Sequence, residues 1–491
     1  MNGLKPMSGR LTKLVLFTGA AALAAGAASA QVRTGLATQV KPTAAQPKPT
    51  AAQPKPTAAK APKTQAQPPA TPEAPVPGNP DYAPAQATTP EATAPAPPPL
   101  PPVVWDVVSA QDLLYYILQI GKEGLNPADY EPEQLAAAIQ TGNPAIISPV
   151  ATDRFDRLSS DLALGHVKKP GRIDWWVVDK DLDSAKQDAL LRTALAQHSV
   201  RATLDGLLPT HPQYAALKEA LALTPATETA KIDRIKLNME RWRWLPRDLG
   251  NKYIIVNVPS FYATLVENGA TRWKHRAVAG KLSTPTPQLS AMATGVILNP
   301  WWEVPKSIEK EAAGKKGFVA VKGADGKVQR WRQPPGPTNA LGQIKFVMPN
   351  SKAIYLHDTN ARSRFNSDVR ALSHGCVRTQ HIMDLATELL GDDGGEWTPD
   401  KIQAALESKK TVQANFVKPL PVYIVYFSAA ALLDGTIIDY KDLYGRDSKA
   451  MAALEMKDGG ASLVPLKPKE EQAAKPKSDA KPKAADKVAA R

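Results

Sequence analysis

The sequence is poor in cysteine and in long apolar runs, and both shortages limit what the protein can be. Cys376 is the only cysteine among 491 residues, so neither a disulfide within the chain nor a cysteine-rich metal site can form. The longest apolar run, residues 14–27, holds about 14 residues, whereas a membrane-spanning helix needs roughly 20. We therefore expect no transmembrane segment in the mature chain.

What the N-terminal segment does contain is the pattern of an export signal. Lys5, Arg10 and Lys13 precede the apolar run, and the triplet Ala-Ser-Ala follows it at residues 28–30. A basic region, an apolar region and an A-x-A cleavage site in this order predict a signal peptide over residues 1–30 and secretion to an oxidising compartment. No cysteine stands directly after the cleavage site, which argues against a lipid anchor.

Residues 31–102 are repetitive and rich in proline. They hold 20 of the 46 prolines, and the heptad KPTAAQP begins at Lys41 and again at Lys48. Such a segment buries too little apolar surface to offset its chain entropy, which predicts a disordered, extended linker. Residues 448–491 end in alternating Lys, Pro, Ala and Asp, and we expect a disordered basic tail there.

The net charge of +14 is concentrated in these flanking segments. The signal contributes +3, the linker +3 and residues 467–491 another +4, which leaves +4 for residues 103–466. A basic folded surface for nucleic acid is therefore not indicated. The basic tails favour weak contact with anionic surfaces such as lipid headgroups or wall polymers, although a role in solubility alone explains them equally well.

Apolar residues recur at helical spacing between residues 105 and 223. Ser109, with Asp112 three positions later, is predicted to cap the first of these helices. The pattern predicts a helical scaffold domain over residues 103–223. Its isolated histidines are expected to be structural or exposed, and they are His166, His198 and His211.

The pattern changes after a helix that carries Ile235, Met239 and Trp242 and is predicted to end near Pro246. Beyond it, β-branched and aromatic runs separated by Gly, Pro and Asn predict strands, most clearly at residues 253–258, 294–298, 353–356 and 422–427. No helix alternates regularly with them, so we expect an antiparallel or mixed sheet. The predicted fold class is α+β, with the helical scaffold domain followed by a mainly β domain over residues 224–447.

Two histidines lie close to the only thiol in this second domain. His357 ends a predicted strand, and the run Ser373-His374-Gly375-Cys376 follows a loop. A nucleophilic cysteine needs a nearby base or cation, main-chain N–H groups for the developing oxyanion and access from solvent. His357 or His374 meets the first need, and Gly375 supplies flexible backbone for the second.

Three interpretations of Cys376 compete with a nucleophile. A lone cysteine is usually a small buried hydrophobe, but these neighbours are polar or glycine and a free thiol is a liability in an oxidising compartment. Zinc binding with His357, His374 and His381 has enough ligands but an unfamiliar spacing. A papain-like protease places its cysteine before its histidine, the reverse of the order here. The sequence favours a nucleophile, with no metal and no cofactor.

The pattern of His-x, fourteen residues and then Ser-His-Gly-Cys-Val-Arg resembles the L,D-transpeptidase (YkuD-type) catalytic domain. The helical region, including GLNPADY at residues 124–130, is similar to the scaffold domain of the large periplasmic YcbB-like subfamily. The resemblance covers residues 105–447 and implies a periplasmic enzyme of the cell wall. Further segments that resemble that subfamily are WRWLP at 242–246, VNVP at 256–259, NPWWEVP at 299–305, QPPGP at 333–337, NALG at 339–342 and YLHDT at 355–359.

The resemblance implies a cysteine acyl-enzyme. Cys376 would attack the carbonyl between residues three and four of a peptidoglycan tetrapeptide stem, expel the terminal D-alanine and leave a thioester. His357 would be the general base and acid, oriented by the backbone of Asp358. An acceptor amine on a second stem would then resolve the thioester into a 3→3 crosslink. A carbapenem would acylate the same thiol.

The resemblance also implies the surroundings of this pair. The amides of Gly375 and Cys376 would form the oxyanion hole, with Tyr355 and His374 lining the site. Ser373 is expected to form hydrogen bonds within the loop.

Substrate contacts are expected from two further side chains. Arg378 suits a diaminopimelate carboxylate, because a guanidinium binds a carboxylate bidentately, and a surface salt bridge is its alternative role. Trp302, with Trp301, is expected to wall the substrate groove or to belong to the core.

Two features depart from the YcbB-like pattern. The peptidoglycan-binding module usually found between scaffold and catalytic domains is missing, because only residues 224–230 separate the two. Residues 305–333 resemble a capping subdomain but are short, which predicts a mobile capping loop and an open cleft. Water or a protein amine could then replace the peptide acceptor, giving an L,D-carboxypeptidase or protein attachment. A non-catalytic wall-binding scaffold is the remaining alternative.

Overall fold

The computed structural model describes residues 100–178, 181–432 and 434–463. The predicted signal peptide, the linker up to residue 99 and the tail beyond residue 463 lie outside these ranges. Within the described ranges, no helix combines the length and the hydropathy that crossing a bilayer requires.

The first part of the described chain is helical, as the apolar spacing predicted. The α-helices are α1 (Val107–Leu118), α2 (Pro132–Gln140), α3 (Pro144–Leu164), α4 (Ser184–Ala196), α5 (Val200–Asp205), α6 (Pro212–Leu223) and α7 (Thr229–Arg243). Short 3₁₀ turns lie at Ile120–Glu123, Pro127–Tyr130 and Lys169–Gly171. Apolar side chains from α1 to α5 enclose one core around Leu113, Ile147, Phe155 and Leu162.

The predicted cap of the first helix is wrong. Asp106, not Ser109, is the N-cap, and its Oδ1 accepts a hydrogen bond from the Ser109 amide at 2.9 Å. The helix therefore begins two residues before Ser109. An Asp side chain accepts this bond as well as a Ser hydroxyl does.

The second part is built on one mixed sheet, which confirms the predicted α+β class. Its strands are β1 (Trp175–Trp176), β2 (Lys252–Asn257), β3 (Tyr262–Glu267), β4 (Ala270–Gly280), β5 (Gln288–Leu298), β9 (Ile344–Val347), β10 (Leu356–His357), β11 (Ala371–Ser373), β12 (Val377–Thr379) and β13 (Val412–Val425). The strand order is β1-β5-β13-β2-β3-β4-β12-β10-β9, and β9 also pairs with β5, so the sheet closes on itself. The pairs β10–β12 and β13–β2 are parallel, whereas β2–β3 and β3–β4 are antiparallel.

Helices α9 (Ile382–Asp392) and α10 (Pro399–Glu407) follow the strands of the site. Buried residues of α9 pack with both sheet residues and Ile402 of α10 in the largest apolar cluster. A 3₁₀ turn at Arg362–Asn366 and a small sheet of β14 (Ala429–Ala431) and β15 (Ile437–Asp439) complete this part.

The segment predicted as a capping loop has its own structure. Strands β6 (Trp302–Glu303), β8 (Val328–Gln333) and β7 (Val319–Lys322) form a three-stranded sheet, next to a 3₁₀ turn at Lys306–Ile308 and the short helix α8 (Glu309–Ala312). Val304, Ile308 and Ala312 are buried in a small apolar cluster there. Residues 305–333 thus contain a hairpin with a core, and this unit is called the cap below.

The helical part and the sheet part are packed against each other through a common apolar core. Leu217 of α6, Met239 and Trp242 of α7, and Val425 and Phe427 at the end of β13 are buried in one cluster. The helical region also contributes strand β1, which pairs with β5. Residues 103–223 are therefore not wholly helical.

The start of the predicted basic tail is wrong. Helix α11 (Asp447–Leu454) buries Ala450, Ala453 and Leu454 in the core of the helical part. The chain then continues over that core, where the amide of Lys168 donates to the carbonyl of Gly459 at 2.7 Å. The folded chain extends to residue 463 because these small apolar residues have a helical surface to cover.

Candidate active site

Strands β9, β10 and β12 lie side by side and carry the predicted chemistry on one face. Ile344, Leu356 and Val377 are buried in the core, so their neighbours in each strand face the opposite side. His357 is directly opposite Arg378 of β12 and Lys345 of β9. The main-chain bond from Val377 to the Tyr355 carbonyl places the residues before these strands, Tyr355 and Cys376, in the same register.

Cys376 is half-buried, and its thiol lies near Tyr355. Burial raises the pKa of the Cys376 thiol above its ordinary value of 9.0. The main chain and hydroxyl of Tyr355, and then Lys345 and Arg378, oppose this effect without cancelling it. The thiol donates to the Ala353 carbonyl, with 3.7 Å between Sγ and oxygen. The Cys376 side chain is therefore a neutral thiol in this structure.

His357 is a buried, neutral imidazole. Burial first, and then the positive charges of Arg378 and Lys345, lower the pKa of His357 to about 3, against the opposing effect of the Asp358 main chain. Its Nδ1 has no hydrogen-bond partner within the described ranges. His357 makes no direct hydrogen bond to Cys376, whose thiol is directed to the Ala353 carbonyl. Catalytic hydrogen bonds often form only when substrate binds.

The loop before Cys376 is held by hydrogen bonds on both sides. The Ser373 hydroxyl donates to the Cys376 carbonyl at 2.5 Å and accepts from the Gly375 amide at 3.1 Å. Ser373 is thus placed as a loop hydrogen-bond former. The Gly375 amide is occupied in this structure, whereas the Cys376 amide donates to no acceptor that the described residues provide. Gly375 adopts a φ of 120°, which favours glycine.

Thr286 stabilises this loop through hydrogen bonds, and it was not among the predicted site residues. Its buried hydroxyl donates to the Gly375 carbonyl at 2.7 Å and accepts from the Gly280 amide at 2.8 Å. The Thr286 carbonyl accepts from Arg446, which also pairs with Asp174 of the helical part at 2.8 Å. Thr286 lies between β4 and β5, and its contact with the Cys376 loop joins residues far apart in the chain. No local sequence signal therefore marks it.

Tyr355 and Trp302 connect the thiol to the cap. The hydroxyl of Tyr355 lies beside the thiol, and Trp302 of β6 lies close enough to that hydroxyl to oppose the rise of its pKa. Burial raises the pKa of Tyr355 well above its ordinary value, so the phenol stays protonated. The Tyr355 and His357 rings are 5.6 Å apart between centroids. Trp302 therefore contacts the site, whereas Trp301 stacks under Arg332 at 4.2 Å.

His374 is directed toward the cap and not toward Cys376. Its Nε2 lies 3.3 Å from Oε1 of Glu311 in α8. His381 lies farther along, exposed at the start of α9, where it pairs with Asp384 at 3.3 Å. Among the described ranges, no three His, Cys, Asp or Glu side chains are grouped to hold a metal ion.

The face of β9, β10 and β12 that carries His357 and Cys376 is called the cleft below. Arg378 and Lys345 give it a positive charge. Neither forms an ion pair with any carboxylate in the described part of the chain, and the Arg378 Nε has no hydrogen-bond partner there. Lys345 was not a predicted site residue. A signal was present in the run Ile344-Lys345-Phe346, where a charged residue alternates with two core residues and so must face the other side of its strand.

Two family comparisons agree with this division of the chain. Residues 251–414 match the L,D-transpeptidase catalytic domain, YkuD, and residues 105–221 match the Scaffold domain. The helical part of the chain thus matches a Scaffold domain, and the part that follows it matches an L,D-transpeptidase catalytic domain.

Among curated proteins, the chain is similar to one of Haemophilus influenzae that bears the name "Putative L,D-transpeptidase". The two are 32% identical over 250 residues, which cover 45% of this chain and 50% of the other. The chain thus spans about half the length of that relative.

Solved structures of similar proteins include an L,D-transpeptidase of Enterococcus faecium, with 12% identity, a TM-score of 0.21, and coverage of 37% of this chain and 52% of that one. L,D-transpeptidase 3 of Mycobacterium tuberculosis shows 10% identity, a TM-score of 0.20, and coverage of 35% and 60%. Values this low support no conclusion about the present chain.

Proposed function

We propose that this protein is a periplasmic peptidoglycan L,D-transpeptidase that forms 3→3 crosslinks through a thioester on Cys376. The observation that carries the proposal is the shared face of β10 and β12, where a thiol, a neutral imidazole, a phenol and a guanidinium meet. The export signal predicted from the sequence supports the periplasmic location. The proposed donor is a tetrapeptide stem, and the proposed acceptor is an amine of a second stem.

The acylation step uses groups that the site provides. As Sγ of Cys376 attacks the carbonyl carbon, its proton passes to His357, which can accept it because it is neutral. The oxyanion faces the unoccupied Cys376 amide. Collapse of the tetrahedral intermediate breaks the C–N bond, and the imidazolium returns the proton to the departing D-alanine amine.

Deacylation uses the same two residues, with the amine as the attacking group and Cys376 as the leaving group. The acceptor amine attacks the thioester carbon and gives a proton to His357, the C–S bond breaks, and the proton returns to Cys376. A thioester reacts readily with amines, so a cleft that excludes water favours crosslinking over hydrolysis. Trp302 and the cap would limit that access.

The direct test incubates the purified mature protein with defined disaccharide tetrapeptides and identifies the products by mass. Crosslinked dimers that lack one D-alanine are the expected product. Tripeptides without dimers would instead assign water as the acceptor and refute the crosslinking step. No change in the tetrapeptide, under conditions where the protein is folded, would refute the proposed function as a whole.

A further inference from the structure

Lys345 is a cleft residue that the family motif does not mark. It lies between two core residues of β9, Ile344 and Phe346, and directly opposite His357 in the antiparallel pair β9–β10. Its Nζ is 4.5 Å from the centroid of the Tyr355 ring, whose hydroxyl contacts the thiol. The ammonium therefore lies on the reactive side of the sheet, close to Cys376.

Lys345 and Arg378 flank His357 from the two neighbouring strands. Adjacent strands are about 4.8 Å apart, so the two cationic side chains start roughly 10 Å apart with the imidazole between them. Both side chains can converge above His357. This arrangement surrounds the reacting centre with positive charge on two sides.

Within the described ranges, no carboxylate lies at ion-pair distance from either cation. Glu303 is the carboxylate whose charge acts on Lys345, but it is paired with Arg330 at 3.1 Å. Arg378 has Arg364 as a charged neighbour, and Arg364 is also a cation. A partly buried cation without a partner costs desolvation energy that a bound anion can recover.

We propose that Lys345 and Arg378 together form a receptor for a carboxylate of the donor stem, which makes Lys345 a specificity-determining residue. This inference rests on the proposed function for its substrate. Two carboxylates of a tetrapeptide are candidates: the terminal carboxylate of the residue that leaves, and the free carboxylate of a diamino acid at position three. An ammonium and a guanidinium on opposite sides of the cleft suit a carboxylate that must be held while its neighbouring carbonyl is attacked.

The first experiment needs no peptide substrate. The only thiol of the chain is alkylated with iodoacetate, an anion, and separately with iodoacetamide, its neutral analogue, and the ratio of the two rates is measured. Removing one nearby cation in Lys345→Met should lower this ratio about fivefold to tenfold, because the anion loses local attraction while the neutral reagent reports thiol reactivity alone.

Two variants control this measurement. Lys345→Arg keeps the charge and should keep the ratio within about twofold of the wild type. Lys274→Met removes a lysine that also lies over a tyrosine ring, 5.0 Å from the centroid of Tyr262, but on β4 away from Cys376. It should leave the ratio unchanged. An unchanged ratio in Lys345→Met would overturn the proposal.

The second experiment identifies which carboxylate binds. Turnover is measured on the free tetrapeptide, on the form amidated at its C-terminus and on the form amidated at the diamino acid. Lys345→Met should raise KM about tenfold on the free peptide with a smaller change in kcat, and should have no effect on the form that already lacks the bound carboxylate. An equal loss on all three peptides would contradict a carboxylate receptor.

The two experiments separate this inference from the proposed function. A changed alkylation ratio without any peptide turnover would support the receptor and refute the transpeptidase. Normal turnover by Lys345→Met on all three peptides would support the transpeptidase and refute the receptor.

Discussion

Buried charged side chains are paired with partners of opposite charge in the helical part but not in the cleft. In the helical part, the fully buried Arg243 donates to Glu240 at 2.8 Å and to the Tyr214 hydroxyl at 2.9 Å. Glu240 also accepts from the Trp244 indole and the Val167 amide. Unpartnered Nε atoms occur there on Arg154, Arg157 and Arg241, but each of these guanidiniums pairs with a carboxylate.

The cleft has no such compensation in the described chain. Lys345 and Arg378 lack carboxylate partners, and Nδ1 of His357 lacks a hydrogen bond. Buried polar groups are normally satisfied, so a group of unsatisfied ones on a single face indicates a place where a ligand completes the interactions. The charged side chains of the helical part therefore stabilise the fold through each other, whereas those of the cleft remain available to a ligand.

The largest expected effect on stability comes from breaking a compensated pair. Glu240→Gln should lower the free energy of unfolding by about 3–5 kcal/mol, because it leaves Arg243 charged and buried without its partner. Urea denaturation measures this loss. Glu228→Gln is the matched control: Glu228 pairs with Lys231 on the surface at 3.3 Å, and its loss should change stability by less than about 0.5 kcal/mol. Equal effects of the two substitutions would contradict the comparison.

A second prediction concerns the support of the Cys376 loop. Thr286→Val keeps the shape of the side chain but leaves the Gly375 carbonyl and the Gly280 amide without their partner. We expect kcat/KM to fall about tenfold to a hundredfold as the loop shifts, with a stability loss of about 1–3 kcal/mol.

Thr294→Val on β5 is the control for this change, because the Thr294 hydroxyl makes only a long bond of 3.5 Å to Val347. It should retain nearly full activity. Full activity in Thr286→Val would show that the loop does not depend on this hydroxyl.

The pH dependence of the reaction follows from the neutral resting pair. Burial and the two cations lower the pKa of His357 to about 3, and burial raises the pKa of the Cys376 thiol, so kcat/KM on a stem peptide should be flat from about pH 5 to 8. An imidazole at its ordinary pKa of 6.5 would give an inflection in the middle of that range. Such an inflection near pH 6.5 would indicate that His357 is not held neutral by burial and by the two cations.

The smallest expected effect is on stability in the cleft. Arg378→Met should change the free energy of unfolding by less than about 1 kcal/mol, or increase it, because this cation has no partner to lose. Chemical denaturation of the variant beside Glu240→Gln gives the contrast directly. A loss of more than about 2 kcal/mol would mean that Arg378 has a structural partner and is not reserved for a ligand.

Local patterns explain which parts of the fold were predictable. Strands β2 and β13 follow from β-branched runs, and α7 follows from its apolar spacing. The predicted strand at residues 353–356 is largely wrong, because Leu356 alone of these residues lies in a strand, β10, which continues to His357. The Asn350 side chain bonds both the amide and the carbonyl of Ile354, which holds that segment as a loop. A side-chain bond of this kind competes with strand pairing and is not visible in hydrophobicity.

The candidate site was predictable to the same extent. His357, Ser373 and Cys376 lie in one short motif, so the sequence alone brought them together. Thr286 and Lys345 join the site through the sheet, by contacts between residues far apart in the chain. Their positions depend on strand register, which one sequence does not specify.

The central claim is that Cys376 carries the acyl group, and the mass of the intact protein tests it most directly. Incubation of the folded protein with a defined disaccharide tetrapeptide, followed by acid quenching, should add the mass of the donor minus D-alanine. Cys376→Ala should show no adduct and should release no D-alanine. An adduct of the same mass on Cys376→Ala, or release of D-alanine by that variant at the wild-type rate, would contradict the account.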